Sequence, residues 1–121
     1  MIRTPFCDLL GIAHPIALGG MGSIYSPDLV IAVSEAGGLG AMGCHRLTPE
    51  QIQTASATIR AGTDKPFALN FLIFSASEES FAAGLAEKPP VIAFAWPRAD
   101  QDIKSYVDRA HDAGCLVTFM A

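Results

Sequence analysis

Residues 67–74 read Phe-Ala-Leu-Asn-Phe-Leu-Ile-Phe, and this stretch decides the fold class. Every residue in it except Asn70 is apolar, and apolar and polar positions do not alternate. A short run of this kind is typical of a strand that is buried on both faces, as the strands of parallel sheets are. The sequence therefore predicts an α/β protein with a parallel sheet.

Helix signals stand on both sides of this strand. Before it, residues 48–51 have the pattern of a capping box, in which the side chain of Gln51 reaches back to Thr48. That helix is expected to stop at Gly62. After the strand, Ser77 and the two glutamates that follow it open a shorter helix, which ends before Pro89.

The same alternation extends towards both ends of the chain. Further strands are expected at residues 15–21, 39–43, 91–96 and 116–120, and further helices are expected to begin at Ser26 and Asp100. Strands and helices that alternate at a spacing of roughly 25 residues indicate right-handed βαβ crossovers. All strands of the sheet are therefore expected to run parallel.

This rhythm fits two architectures, an open doubly wound sheet and a closed (β/α)8 barrel. The chain has 121 residues and stops at an apolar strand, whereas a complete barrel needs about 250 residues. Residues 1–121 are therefore expected to form a single, truncated segment, the first half (strands 1–5) of a TIM barrel. Its bare strand edges would favour self-association. A small, complete open sheet is the alternative.

Composition excludes several classes of function. A net charge of −4 gives no basic surface for nucleic acid or anionic lipid. No apolar run approaches the roughly 20 residues that span a bilayer, and the first residues lack the apolar core of a signal peptide. The three cysteines are widely spaced and suit neither a disulfide framework nor a metal site. A cytoplasmic protein with buried thiols and no bound metal is expected.

Two features lie beyond the carboxyl ends of strands, where parallel α/β proteins bind ligands. The first is the run Gly19-Gly20-Met21-Gly22, because glycines let a flat ring or a phosphate approach the backbone closely. The second is Asn70, because a buried amide must find hydrogen-bond partners and a ligand can supply them. A tight turn and a satisfied core amide are the structural alternatives.

The histidines are the candidate general bases, and only His45 follows a strand at the ligand edge. It has no recognisable carboxylate partner, so it is assigned no catalytic role. His14 is expected at the opposite edge, and His111 falls in the last turn of a helix, where a positive charge suits the dipole. Trp96 ends the fourth strand, and packing in the core is the interpretation expected for it.

Three segments together resemble one family. Residues 15–21, residues 34–40 (Ser-Glu-Ala-Gly-Gly-Leu-Gly) and residues 63–70 (Thr-Asp-Lys-Pro-Phe-Ala-Leu-Asn) look like the nitronate monooxygenases. The order and spacing of these segments agree along the whole chain. The combination is specific, whereas any one segment alone would be a weak signal.

The resemblance implies an oxidoreductase that holds FMN at the C-terminal face of a TIM barrel. Gly20, Met21 and Gly22 would lie against the flavin ring, and Asn70 would contact it from the third strand. The implied reaction is oxidation of an alkyl nitronate by dioxygen. In such enzymes the catalytic histidine and the loops that hold the FMN phosphate come from later strands, so no catalytic residue is carried over to this chain.

Two other interpretations stay open. The FMN-dependent enoyl-acyl-carrier-protein reductases have similar opening segments, and they take electrons from NAD(P)H instead of from a nitronate. A non-catalytic half-barrel fragment is the second, supported by the open strand edges that such a fragment would expose.

Overall fold

The computed structural model describes residues 1–22 and 24–120. Nine elements follow one another within these described residues. They are α1 (Pro5–Leu10), α2 (Pro27–Glu35), β1 (Gly40–Gly43), α3 (Pro49–Gly62), β2 (Phe67–Leu72), α4 (Glu78–Ala86), β3 (Val91–Ala95), α5 (Ile103–Asp112) and β4 (Leu116–Met120). None of the described helices is both long enough and apolar enough to cross a membrane.

The strands form a parallel sheet in the order β1-β2-β3-β4, as the sequence predicts. The register places Gly43 beside Asn70, Asn70 beside Ala93, and Ala93 beside Thr118. Because the order follows the chain without a reversal, the sheet has no switch point of the doubly wound kind. This order is that of a βα barrel.

The positions of the helices also favour a barrel over an open sheet. Helices α2 to α5 all contribute to one cluster on the outer face of the sheet, where Phe67, Leu69 and Phe71 of β2 pack with Phe81 of α4. The inner face presents the alternate residues, including Ala68, and of the helices that the structure describes only α1 covers it, through residues such as Leu10. A doubly wound sheet carries helices on both faces.

The first predicted strand is largely absent. Instead of a strand over residues 15–21, a single parallel bridge joins Ala17 to Leu39. The N–H of Leu18 donates to Leu39 O (2.9 Å), and the N–H of Leu39 donates to Ile16 O (2.9 Å). Pro15 has no N–H to pair, and the glycines from Gly19 onward leave the sheet, so only the centre of the segment stays in the ladder.

Local signals predicted most helix starts correctly. Ser26 caps α2 by accepting from the N–H of Leu29 (3.4 Å), and Thr48 with Gln51 forms the predicted capping box. Ser77 caps α4. The short helix α1, which begins at Pro5, was not expected.

The predicted cap at Asp100 is wrong. Helix α5 is capped by Asp102, whose Oδ1 accepts from the N–H of Ser105 (3.3 Å). Gln101 lies between the two aspartates and donates from Nε2 to Ile73 O (2.9 Å). This bond ties the loop to the end of β2, so the helix starts after it. Asp100 instead pairs with Arg98 (3.1 Å).

Candidate functional site

Asn70 lies on the inner face of β2, near the carboxyl ends of the strands. Its side chain is 7% exposed, and Nδ2 donates to Ala93 O on the neighbouring strand (3.2 Å). The flanking inner-face residues Ala68 and Ala93 are small and apolar. The amide is therefore an isolated polar group on an apolar wall, at the edge where parallel barrels bind their ligands.

Gly20 lies directly against the Asn70 side chain. A Cβ atom built on Gly20 would fall 2.0 Å from Oδ1 and 2.3 Å from Cγ of Asn70. No side chain fits at this distance, so glycine is required for the loop to rest on the amide. The two features that the sequence singled out separately thus form one contact.

The rest of the glycine loop covers the end of β1. A Cβ atom on Gly43 would lie 3.2 Å from Gly22 O and 3.3 Å from the backbone N of Met21. Gly43 therefore allows the loop to approach the sheet closely. The structure brings the four predicted residues Gly20, Met21, Gly22 and Asn70 together around the ends of β1 and β2.

A recess of about 100 Å³ opens at this place. It is lined by Gly20, Gly22, Asn70, Leu72, Ala95, Trp96 and Met120. Its walls are mostly backbone and apolar side chains, with one amide, which suits the flat, largely apolar ring of a flavin carrying polar groups at one edge. The recess is smaller than the ~300–1,000 Å³ of typical ligand pockets, so it has room for only part of a drug-sized ligand.

His45 lies just beyond β1 at the same edge. Its Nδ1 atom is 3.0 Å from the Ser75 hydroxyl, and its ring faces Phe74 with a centroid distance of 6.1 Å. Its hydrogen-bonding neighbour is therefore a hydroxyl and not a carboxylate. The ring is fixed by a neighbouring loop, an arrangement that supports a structural role.

Cys44, next to His45, is no nucleophile. Burial raises the pKa of its thiol to about 12, and Sγ lies 3.6 Å from Met42 O. The thiol therefore stays protonated at neutral pH. Cys7 and Cys115 are also free and buried, in agreement with the prediction of buried thiols.

Of the other side chains considered in the sequence, the two histidines lie where they were expected and the tryptophan does not. His14 is joined through its backbone N–H to Gly37 O (2.9 Å), away from the recess, and His111 lies in the last turn of α5. The core position expected for Trp96 is wrong, because 60% of its surface is exposed. Ala95 is the last residue of β3, and Trp96 turns away from the strand with a φ of 55°.

Comparison with known proteins places this geometry in context. Residues 3–95 match the family model described as nitronate monooxygenase. A relative from Mycobacterium tuberculosis, named (3aS,4S,5R,7aS)-5-hydroxy-7a-methyl-1-oxo-octahydro-1H-indene-4-carboxyl-CoA dehydrogenase, is 41% identical over 69 residues, 57% of this chain and 19% of that protein. A nitronate monooxygenase from Paraburkholderia phytofirmans is 40% identical over 62 residues, 51% of this chain and 17% of that protein.

The same barrel fold is found in a solved structure. FabK from Thermotoga maritima superposes with a TM-score of 0.89 and 34% identity, over 100% of this chain and 38% of FabK. The superposition matches this sheet to part of a TIM barrel. The matched residues thus span about a fifth of the length of the curated relatives, and the whole chain spans less than half of the structural one.

Proposed function

Because this chain belongs to the nitronate monooxygenase family of flavin-dependent oxidoreductases, we propose that its Gly20–Asn70 recess holds one side of the ring of FMN. The proposal rests on the contact between Gly20 and Asn70, which is so close that a Cβ atom on Gly20 would lie 2.0 Å from Asn70 Oδ1. It leaves a surface of bare backbone with one fixed amide, to which a planar ring can lie close.

The residues in and around the recess would have different roles. Gly20 and Gly22 let the ring approach the backbone, and Met21, on the loop between them, would lie against it. The Asn70 amide orients the polar edge of the ring, because it offers both a donor and an acceptor. Leu72 and Ala95 exclude water from the apolar edge. We propose that barrel strands from outside residues 1–121 cover the opposite side, since the recess is only about 100 Å³.

The proposed reaction is oxidation of an alkyl nitronate with dioxygen as the final electron acceptor. Bound FMN would supply the redox chemistry that amino-acid side chains lack. The chain's own residues position the ring and keep water from it, and no catalytic base is assigned among them.

Anaerobic mixing of the flavin-loaded protein with ethyl nitronate tests this function. Loss of the visible flavin absorption on mixing, and its return on addition of dioxygen, is the expected result. Neutral nitroethane serves as the comparison, since it must first lose a proton before it can donate electrons and should therefore bleach the flavin more slowly. A flavin that stays oxidised with every nitronate tried would contradict the proposal.

A second candidate acts on thioesters. It is favoured by the 41% identical relative, whose name is that of a carboxyl-CoA dehydrogenase. The enoyl-acyl-carrier-protein reductase interpretation also belongs to this substrate class, with NAD(P)H as the electron donor. Anaerobic mixing discriminates the two, because bleaching by NAD(P)H and not by a nitronate would favour the thioester candidate.

Replacing Asn70 by alanine is expected to weaken flavin binding by roughly 1–3 kcal/mol, the usual range for a lost buried hydrogen bond, or to shift the flavin reduction potential. Flavin fluorescence titration and potentiometry measure the two quantities. Ser56→Ala is the matched control, since Ser56 Oγ is a buried polar atom of α3 with no partner among the described residues. Unchanged affinity, potential and turnover in Asn70→Ala would make Asn70 purely structural.

Replacing His45 by alanine is expected to leave proton abstraction from a nitroalkane intact. The reason is that His45 bonds to the Ser75 hydroxyl and has no carboxylate orienting it. Turnover of neutral nitroethane, which requires removal of a proton, is the measurement, with Ser75→Ala as the companion variant. A fall of about 10²-fold or more in His45→Ala, the scale of a lost general base, would contradict the expectation.

A further inference from the structure

Two large aromatic side chains are exposed at the mouth of the recess. Trp96 is 60% exposed and Phe74 is 41% exposed, and their ring centroids lie 6.3 Å apart with an interplanar angle of 35°. Trp96 itself lines the recess beside Asn70. A single exposed aromatic side chain is common on protein surfaces and needs no explanation. A pair of exposed aromatic side chains that adjoins a recess is instead typical of a binding surface.

The backbone at Trp96 is held in an unfavourable conformation. Its φ of 55° lies in the left-handed region, which is a genuine outlier for a bulky residue. The N–H of Phe74 donates to Trp96 O (3.2 Å), and the N–H of Ile73 donates to Ala95 O (2.9 Å). These bonds fix the turn, so that the indole ring stays at the recess. Such strain persists only where the surrounding structure holds it in place.

We propose that Phe74 and Trp96 form a shelf that binds the hydrocarbon part of the substrate beside the flavin ring, so that the protein prefers longer-chain substrates. The proposal rests on the proposed function for the reaction and extends it to the substrate class. Leu72, Ala95 and Met120 continue the apolar surface from the shelf into the recess, and this continuity favours a hydrocarbon over a polar group.

A series of primary alkyl nitronates from ethyl to hexyl tests the shelf in the flavin-loaded protein. We expect kcat/KM to rise about twofold to fourfold per added methylene, the range from half to full burial of each group. In Trp96→Gly and in Phe74→Ala the dependence on chain length should fall by at least half on a logarithmic scale. The comparison is made between chain lengths within each variant, because loss of binding to the distal chain lowers kcat/KM of hexyl nitronate more than that of ethyl nitronate. Trp96→Phe should retain most of the dependence.

The strain at Trp96 supplies an independent measurement. Trp96→Gly is expected to raise the melting temperature or leave it unchanged, because glycine adopts a positive φ freely. Lys88→Gly is the matched control, since Lys88 has a φ of 48° and follows α4 at the other end of the sheet. Lys88→Gly should show the same thermal effect without any change in the dependence on chain length.

Fluorescence separates failure of the shelf from failure of the proposed reaction. Trp96 is the only tryptophan of the chain, so protein emission excited at the indole band reports on the shelf. Linear carboxylates from propanoate to heptanoate are planar anions like nitronates, but they do not donate electrons. The longer carboxylates are expected to shift Trp96 emission at lower concentration, and Phe74→Ala should weaken this trend.

The outcomes are distinct. If nitronates are not oxidised and the carboxylate trend is present, the shelf stands and the proposed reaction fails. If nitronates are oxidised with the same dependence on chain length in wild type, Trp96→Gly and Phe74→Ala, the shelf proposal is refuted and the proposed reaction is not. Loss of FMN from Trp96→Gly, measured as an increased dissociation constant, would also refute it, because Trp96 would then belong to the flavin cradle.

Discussion

Gly20→Ala is expected to weaken FMN binding by about 100-fold or more, which corresponds to about 3 kcal/mol. The added methyl group would lie 2.0 Å from Asn70 Oδ1, 2.3 Å from Cγ and 2.8 Å from Cβ. Because rotation of the amide alone cannot relieve contact with its own Cβ, the loop or the strand end must shift. The ring then loses both its close approach to the backbone and its amide contact.

Gly19→Ala is the matched control for this prediction. A Cβ atom on Gly19 meets nothing within 4 Å, so the same chemical change one residue earlier should leave FMN binding unchanged. Flavin fluorescence titration gives the dissociation constants of both variants. Equal affinity in Gly20→Ala and Gly19→Ala would remove the recess as the flavin site.

A double variant sharpens this test. Gly20→Ala and Asn70→Ala act on one contact, so their combined effect should be clearly smaller than the sum of the two separate effects. Additive losses would mean that the two residues act on flavin binding independently.

Phe81→Ala is expected to lower the free energy of unfolding by about 3–5 kcal/mol, a large share of the 5–15 kcal/mol typical of a folded domain. Phe81 is 1% exposed and lies at the centre of the outer cluster. Its ring meets those of Phe71 (5.4 Å), Phe94 (5.7 Å) and Tyr106 (5.3 Å), and the Arg109 guanidinium lies over it at 4.7 Å. Truncation leaves a cavity between the strands β2 and β3 and the helices α4 and α5.

Phe74→Ala provides the same truncation at a position that is 41% exposed, where the expected loss is about 1–2 kcal/mol. Urea unfolding followed by circular dichroism measures both variants without flavin. Similar losses in the two variants would show that the outer cluster contributes little to stability.

The sequence allowed the helix starts to be predicted where the signal was complete within a few residues. The capping box of Thr48 and Gln51 closes on itself, so no distant contact is needed to place it. The start of α5 could not be predicted in this way, because both Asp100 and Asp102 are good caps. The hydrogen bond from Gln101 to Ile73 O, across to another strand, selects the second.

The candidate site, like the helix starts, could be predicted from the sequence only in part. Asn70 and the glycine run were recognisable in the sequence, one as a lone amide in an apolar strand and the other as a cluster of permissive backbone positions. Their mutual contact, and the exposure of Trp96, were not. Trp96 reads as the end of a buried strand, and only the paired ends of β2 and β3 turn it into the left-handed region and out of the core.

The sequence by itself therefore determined the parallel βα alternation, the buried strands and the residue types available at the carboxyl edge. These depend on periodicity and on caps, which are interactions between residues close in the chain. Tertiary structure alone decided that the first segment keeps a single bridge, that Gly20 rests on Asn70, and that Trp96 stands beside the recess. Each of these depends on atoms from segments far apart in the chain, whose distances are set only when the strands pair and the helices pack against them.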